Sequence, residues 1–474
     1  MKFENIQQVQ ERWDNKEVLQ FEERDPCYTW LFPLALGEFS PEAIWLPVTL
    51  PKLTENLTLY IHIPFCRFIC SMCPFTHEPL NHKDLDAYVE ALCKEIRFYG
   101  SNLLNIKARP VSSLYFGGGT ASSLSIQQLE KILLELRQWF NFDSGCQITL
   151  ECHPRTVDKK YLVNARQLGI NRVSFGIQSF EQEFIDSLKL HQQVEQSKQI
   201  LTDALSVGFN TVAMDLMFRY AGQNVEALER EIETALAIGV QGISTYALDP
   251  EIRELRATAK QQKPVSTEGE MYYYLHDRLH AEGFVHVAQP DYARPGHENQ
   301  QLRDLWGAPQ AENLSFGAGA FSESFNGATW ANVHDSELYV NLIDDGKVPI
   351  LMGQTHSWDD AVARYPALGV RCLEFALTPF EEKFGVKFDE LYRLELSILV
   401  NKGWVELEEN RLRITRQGKF FIDNISKTFF NLRNRGKSQL WGVQLEKLKP
   451  HKVWSQRELI DSVEKKYSLV ESNK

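Results

Sequence analysis

The sequence predicts an α/β chain built on an incomplete (β/α)6 barrel, with an N-terminal extension over residues 1–55 and an α+β, winged-helix-like domain over residues 351–474. Three observations predict this. From about residue 56 to 250, short β-rich runs alternate with helical patterns. Three helix-to-strand joints in that stretch resemble one another. After about residue 351 the alternation gives way to a helix followed by a hairpin.

The β-rich runs are "TLYIHI", "SLYF", "QITLE", "RVSFGI", "TVAMDLMF" and "GISTYAL". Between the first two, "KDLDAYVEALCKEIRFYG" places Leu85, Tyr88, Val89, Leu92 and Ile96 on one helical face, with Gly100 as the expected C′ residue. Ser125 is the expected N-cap of "IQQLEKILLELRQWF". The joints "ARQLGINRVSF", "ALSVGFNTVAM" and "ALAIGVQGIST" put Gly169, Gly208 and Gly239 at intervals of 39 and 31 residues, about one βα unit each. Repeated βα units imply parallel strands with right-handed crossovers, and chemistry at the C-terminal strand ends. Residues 1–55 read as an extension rich in aromatics and prolines. Residues 251–350 are mixed and carry the Gly/Ala-rich "FGAGAF". "FDELYRLELSILVNKGWVELEENRLRITRQG" reads as a helix and a hairpin turning near Glu409 and Asn410. Such a module serves either nucleic-acid binding or the covering of a partner or substrate, and the charge favours the cover.

The net charge of −12 argues against general binding to nucleic acid or anionic membranes. The N-terminus is polar, and no run of 18 apolar residues exists, so neither a secretory signal nor a membrane span is expected. Eight cysteines in 474 residues fit a reducing, cytoplasmic setting better than a disulfide scaffold.

Three of those cysteines stand together. "YIHIPFCRFICSMCPF" gives Cys66, Cys70 and Cys73 at C-x3-C-x2-C spacing directly after the first strand. Three thiolates can hold three irons of a [4Fe–4S] cluster and leave the fourth open, whereas fully ligated clusters use four. An open metal position marks a site that takes substrate. Zinc is the rival reading, but its motifs usually carry a second distant pair and none is present. Three unrelated buried cysteines are the bland alternative.

This motif resembles the signature of the radical S-adenosylmethionine superfamily. With "YIHIPFC" before it, the chain is similar to the branch typified by oxygen-independent coproporphyrinogen III oxidase (HemN-like). "LYFGGGTAS", "ITLECHP", "RVSFGIQSF", "VAMDLMF", "YARPG" and "FGAGAFS" match further motifs of that branch in order, over roughly residues 25 to 430. The resemblance implies a cluster on Cys66, Cys70 and Cys73 whose open iron chelates S-adenosylmethionine, and reductive cleavage to a 5′-deoxyadenosyl radical. It implies that Tyr60, Gly117, Gly118, Gly119, Thr120 and Glu151 bind this first molecule, with Met72 packed on it. It also implies a second S-adenosylmethionine at Gly119, Thr120, Gln178, Asp215 and Ala247, and a cofactor contact at Phe321 in the late glycine motif. A reductant such as flavodoxin or ferredoxin is the implied partner. Independently of the resemblance, glycines let a backbone approach a ligand closely, and a carboxylate ending an apolar strand needs a partner.

The chain departs from the branch at several positions. Phe75 stands where the oxidase has another cysteine, and Leu190 where it has an arginine against the second cofactor. A "GLPGQ"-like turn reads "RYAGQ". Gln300 and Gln301 occupy the stretch where haem-chaperone relatives carry a His-Asn pair. The expectation is therefore an enzyme that uses the second S-adenosylmethionine as a methyl or methylene donor to an sp² carbon of an aromatic or conjugated substrate. Oxidative decarboxylation of a porphyrinogen-like substrate and a non-catalytic haem carrier are the alternatives.

Overall fold

A computed structural model describes residues 24–25, 29–45, 56–70, 73, 75–81, 83–248, 268–437 and 448–472. Among these, twelve strands form one sheet. We number them in chain order: β1 (Leu57–Ile63), β2 (Pro110–Gly118), β3 (Asn141–Cys152), β4 (Arg172–Gln178), β5 (Thr211–Phe218), β6 (Gly242–Ala247), β7 (Val285–Ala288), β8 (Asp291–Ala293), β9 (Glu312–Phe316), β10 (Phe321–Phe325), β11 (Ala328–Asn332) and β12 (Ile350–Thr355). Their order is β12-β11-β10-β9-β1-β2-β3-β4-β5-β6-β8-β7. Strands β1 to β6 are parallel neighbours in sequence order, which is the expected barrel core. The stretch read as mixed extends that sheet at both edges. β9 joins β1 in parallel, and β8 joins β6 antiparallel. The sheet stays open, so one side of the strand ends must be closed by other elements.

The helices between the strands form for local reasons. Ser125 and Gln128 make a reciprocal capping box at the start of helix Ile126–Trp139. Gly208 and Gly239 take left-handed C-caps. Gly100 is different from expectation: the helix runs on through Leu85–Asn102, with Gly100 inside it. The reason is packing, because a Cβ at Gly100 would collide with the Trp139 side chain. The glycine lets two helices approach rather than ending one.

A second apolar core lies in the C-terminal region and includes Phe375, Phe380, Phe388, Tyr392, Leu399 and Phe429. Helix Arg393–Asn401 leads to a hairpin, Val405–Glu408 with Arg411–Ile414, which turns at Glu409 and Asn410 as expected. The second core also takes in Phe32 and Leu34 of the N-terminal segment and Trp306 of the barrel region. Buried ion pairs fasten these parts together. Arg371 pairs with Asp423 at 2.8 Å and donates to the Gln289 carbonyl at 2.7 Å. Arg364 pairs with Glu323 at 3.3 Å and donates to the Phe32 carbonyl. The last helix, Gln456–Ser472, returns to the barrel core through Leu459 and Val463.

Candidate active site at the strand ends

A cavity of about 490 Å³ opens at the C-terminal ends of the parallel strands. That size is ordinary for a small-molecule site. Successive strands each deliver a residue to it: Tyr60 and His62 from β1, Tyr115 and Gly118 from β2, Glu151 from β3, Gln178 from β4, Asp215 from β5 and Ala247 from β6. Cys66, Cys70, Cys73, Gly119, Thr120 and Phe321 line it as well. Gly117 lies just behind the wall. Met72 lies outside the described residues.

The cysteine end of the cavity is tightly built. A short ladder of its own pairs Phe65–Cys66 with Glu78–Pro79, so the two ends of the cysteine loop are held side by side. Gly119 donates its N–H to the Ile63 carbonyl at 2.8 Å. A Cβ there would come within 2.6 Å of the Pro64 carbonyl oxygen and 2.9 Å of Cys66 Sγ. Thr120 Oγ1 donates to Cys66 Sγ at 3.4 Å. Burial pushes the Cys66 thiol up to about 12, so this sulfur ionises only with a cation beside it. Among the described residues, no three His, Cys, Asp or Glu side chains converge as a single-ion site does. Three thiols around one cavity fit the larger [4Fe–4S] cluster.

Next to the cysteines, Tyr60 stacks on Tyr115, ring centroids 5.9 Å apart. Tyr115 Oη donates to Glu151 Oε1 at 2.7 Å. Gly117 leaves room for both partners: a Cβ there would stand 2.7 Å from Tyr60 Oη and 2.9 Å from Glu151 Oε2. Burial raises the Glu151 pKa, and the Tyr115 hydrogen bond and the Arg172 charge oppose that rise. An ammonium group placed against Glu151 would restore its ionised form.

The second half of the site is built otherwise. Gln178 has φ +66°, a left-handed conformation at a non-glycine residue. Such a backbone costs about 1–2 kcal/mol and persists only where its surroundings impose it. Tyr220 Oη donates to the Gln178 carbonyl at 2.8 Å, and Gln192 donates to the Ile177 carbonyl beside it. Asp215 is held well above the usual carboxylate range, first by burial and then by the charges of Glu151 and Asp291. Leu190 lines the cavity and packs with Phe184, Leu188, Met217 and Tyr220, so the side chain at that point is apolar.

Several lining residues were not singled out from the sequence. Tyr115 is in step with Gly117 along β2, so the two-residue strand period could have found it. Arg172 lies at the start of β4, and Asp291 at the start of β8, next to the edge strand β7, with nothing local to mark them. Arg24 and Trp30 come from the N-terminal segment, and Trp306 and Asp423 from the far side of the chain. Glu268 joins Arg219 at 2.7 Å and pairs with Arg24, while Arg24 Nε donates to the Phe420 carbonyl at 3.0 Å. Thus the N-terminal segment ties the barrel rim to the C-terminal domain across the cavity mouth. Gln301 Oε1 accepts from Ser113 Oγ at 2.7 Å, and the Gln300 backbone N–H donates to Gln147 Oε1 at 2.9 Å.

A parallel sheet ending in three cysteines, a glycine turn and a carboxylate defines a radical S-adenosylmethionine domain, and the radical SAM superfamily model matches residues 60–235. The HemN C-terminal domain model matches residues 359–421, so the two matched segments are similar, in order, to a radical SAM domain and a HemN C-terminal domain. It is 28% identical over 382 residues to the heme chaperone HemW of Bacillus subtilis, covering 78% of this chain and 98% of that one. It is 26% identical over 449 residues to the oxygen-independent coproporphyrinogen III oxidase of Escherichia coli, covering 90% and 96%. The fold matches the structure of HemN from Escherichia coli with a TM-score of 0.73 at 23% identity, over 85% of this chain and 96% of that one. These matches give no support to the expected leaning toward methyl-transferring members. Superfamily membership implies a [4Fe–4S] cluster and S-adenosylmethionine; it does not give the number of S-adenosylmethionine molecules.

Proposed function

We propose that this enzyme binds S-adenosylmethionine between the cysteine loop, the Gly117–Thr120 turn and Glu151, and presents a small conjugated, tetrapyrrole-like substrate to it beneath the C-terminal domain. The observation that carries this reading is the gathering of three thiols, the glycine turn and Glu151 around one cavity. When bound, the cluster supplies the electron that breaks a sulfonium C–S bond and makes hydrogen abstraction possible. Glu151, steadied by Tyr115, receives the cofactor's ammonium group. The missing Cβ atoms of Gly117 and Gly119 leave the backbone open to its carboxylate. Arg24, Glu268 and Arg219 close the mouth and keep water from a reactive carbon centre. Trp30, Phe68, Trp306 and Phe321 offer flat apolar walls to a conjugated ring. The names of the relatives, a coproporphyrinogen III oxidase and a heme chaperone, favour a tetrapyrrole among conjugated substrates.

The finer reading is that a second S-adenosylmethionine donates carbon to an sp² centre. Its support is the meeting of Gln178, Asp215 and Ala247 at adjoining strand ends, where Asp215 suits a ribose diol. Oxidative decarboxylation is the second reading, favoured by the oxidase relatives, which align over nearly the whole chain. Methyl-deuterated S-adenosylmethionine separates them. Carbon transfer places deuterium in both product and 5′-deoxyadenosine, with S-adenosylhomocysteine formed. Decarboxylation releases carbon dioxide and leaves the product unlabelled. No turnover of S-adenosylmethionine with any candidate substrate would leave only the carrier reading.

A further inference from the structure

The charges at the cavity mouth do not cancel. Glu268 divides its two oxygens between two arginines: Oε2 meets Arg219 Nη1 at 2.7 Å, and Oε1 meets Arg24 Nη1. None of these three side chains is more than 19% exposed. The neighbouring acids have cations of their own. Asp25 pairs with Lys427 at 2.6 Å, Asp423 with Arg371 and Glu323 with Arg364. The other acids of the lining, Glu151, Asp215 and Asp291, share the field of Arg172, and burial pushes all three toward their neutral forms. Among the described residues, two guanidinium groups against one carboxylate leave the mouth positive, on a chain of net charge −12.

Arg219 stands in a costly place. It follows β5 with φ +71°, a left-handed backbone that favours glycine. This is the first position of "RYAGQ", where the branch's turn has its first glycine. Gln223 imposes the turn, since its Oε1 accepts the Arg219 N–H at 2.7 Å and the Tyr220 N–H at 3.3 Å. Strain of this kind gathers where a side chain serves a ligand. The Arg219 side chain lines the cavity. Tyr220, the next residue, packs in the same apolar cluster as Leu190. Arg219 therefore brings a positive charge to the side of the cavity where Leu190 has none.

We propose that Arg219, with Arg24 across Glu268, anchors the carboxylate of the ligand that fills the β4–β6 half of the cavity. A guanidinium fork can engage a second carboxylate while it keeps the first. The carboxylate belongs either to the amino-acid end of a second S-adenosylmethionine or to an acid side chain of the conjugated substrate. The inference rests on the proposed function, which places a ligand in that half.

The test compares ligands with and without the carboxylate. One pair is S-adenosylhomocysteine and its decarboxylated form; the other is coproporphyrin III and its tetramethyl ester. Each is titrated into the reconstituted enzyme and into the chain with Cys66, Cys70 and Cys73 replaced by alanine, where iron contributes nothing. In one pair the parent should prefer the carboxylate member by at least about tenfold, and that pair identifies the source. Arg219→Gly suits the turn's backbone and should cut this preference to within about twofold, while the carboxylate-free member binds within about twofold of its affinity for the parent. A preference in neither pair overturns the anchor. So does a preference that survives Arg219→Gly, or an equal loss of both members. If the reconstituted parent makes no 5′-deoxyadenosine with dithionite, that failure falls on the proposed function, and the titrations of the cysteine-free chain still decide Arg219.

Discussion

The two halves of the cavity meet at Gly119 and Thr120 yet are wired differently. On the β1–β3 side, polar atoms are already paired: Tyr115 with Glu151, Thr120 with Cys66 and Gly119 with Ile63. On the β4–β6 side, a strained Gln178 and a half-buried Asp215 stand next to the apolar cluster of Leu190. The first half is fixed by its own hydrogen bonds, and the second sets the polar Gln178 and Asp215 beside an apolar wall at Leu190. The lesson is that one cavity can hold two degrees of preorganisation, and the looser half is where family members can diverge.

The sharpest way to break this contrast is to remove the cysteines. Replacing Cys66, Cys70 and Cys73 with alanine should abolish iron binding, measured by iron content and the cluster's visible absorption. Cys93→Ala should leave both unchanged, because Cys93 is buried in the helix Leu85–Asn102. Next in size, Glu151→Gln should weaken S-adenosylmethionine binding by about 1.5–3 kcal/mol, roughly 10- to 150-fold, as a charge-assisted hydrogen bond is lost. Calorimetric titration of the reconstituted enzyme checks this, and an unchanged affinity would remove Glu151 from the site. A smaller and more selective effect is expected in the second half. Asp215→Asn should lower product formation several-fold more than it lowers 5′-deoxyadenosine formation, as judged by chromatography of both from one reaction. Equal losses would mean that the two halves act on one ligand.

The smallest effect concerns a network outside the cavity. Glu95 is buried and receives Tyr339 Oη at 2.6 Å, the Gly317 N–H at 2.9 Å and Asn332 Nδ2 at 2.8 Å. Burial raises its pKa to about 7 despite these donors. A carboxyl whose folded pKa lies above its unfolded one binds more protons in the native state, so stability falls as pH rises from about 4.5 to about 7. Thermal unfolding should therefore show a smaller drop in Tm between pH 5 and pH 7.5 in Glu95→Gln than in the parent. An identical drop in both would place the proton elsewhere.

The sequence by itself determined the parallel core, because the alternation of β-rich runs and helices, with turn glycines between, is local information. It determined the cysteine loop and the glycine turn for the same reason: their residues are neighbours in the chain. The strand-end residues Glu151, Gln178, Asp215 and Ala247 were legible through resemblance to a family, and the structure brings all four to one cavity. Only the tertiary structure decided what closes that cavity. Arg24, Trp306 and Asp423 are each more than a hundred residues apart in the chain, and no period or spacing relates them. The same is true of Arg172, whose place beneath Glu151 and Asp215 follows from three strands lying side by side. Gly100 shows the converse limit. Read locally it ends a helix; in the fold it admits Trp139, because close packing between helices acts across the chain rather than along it.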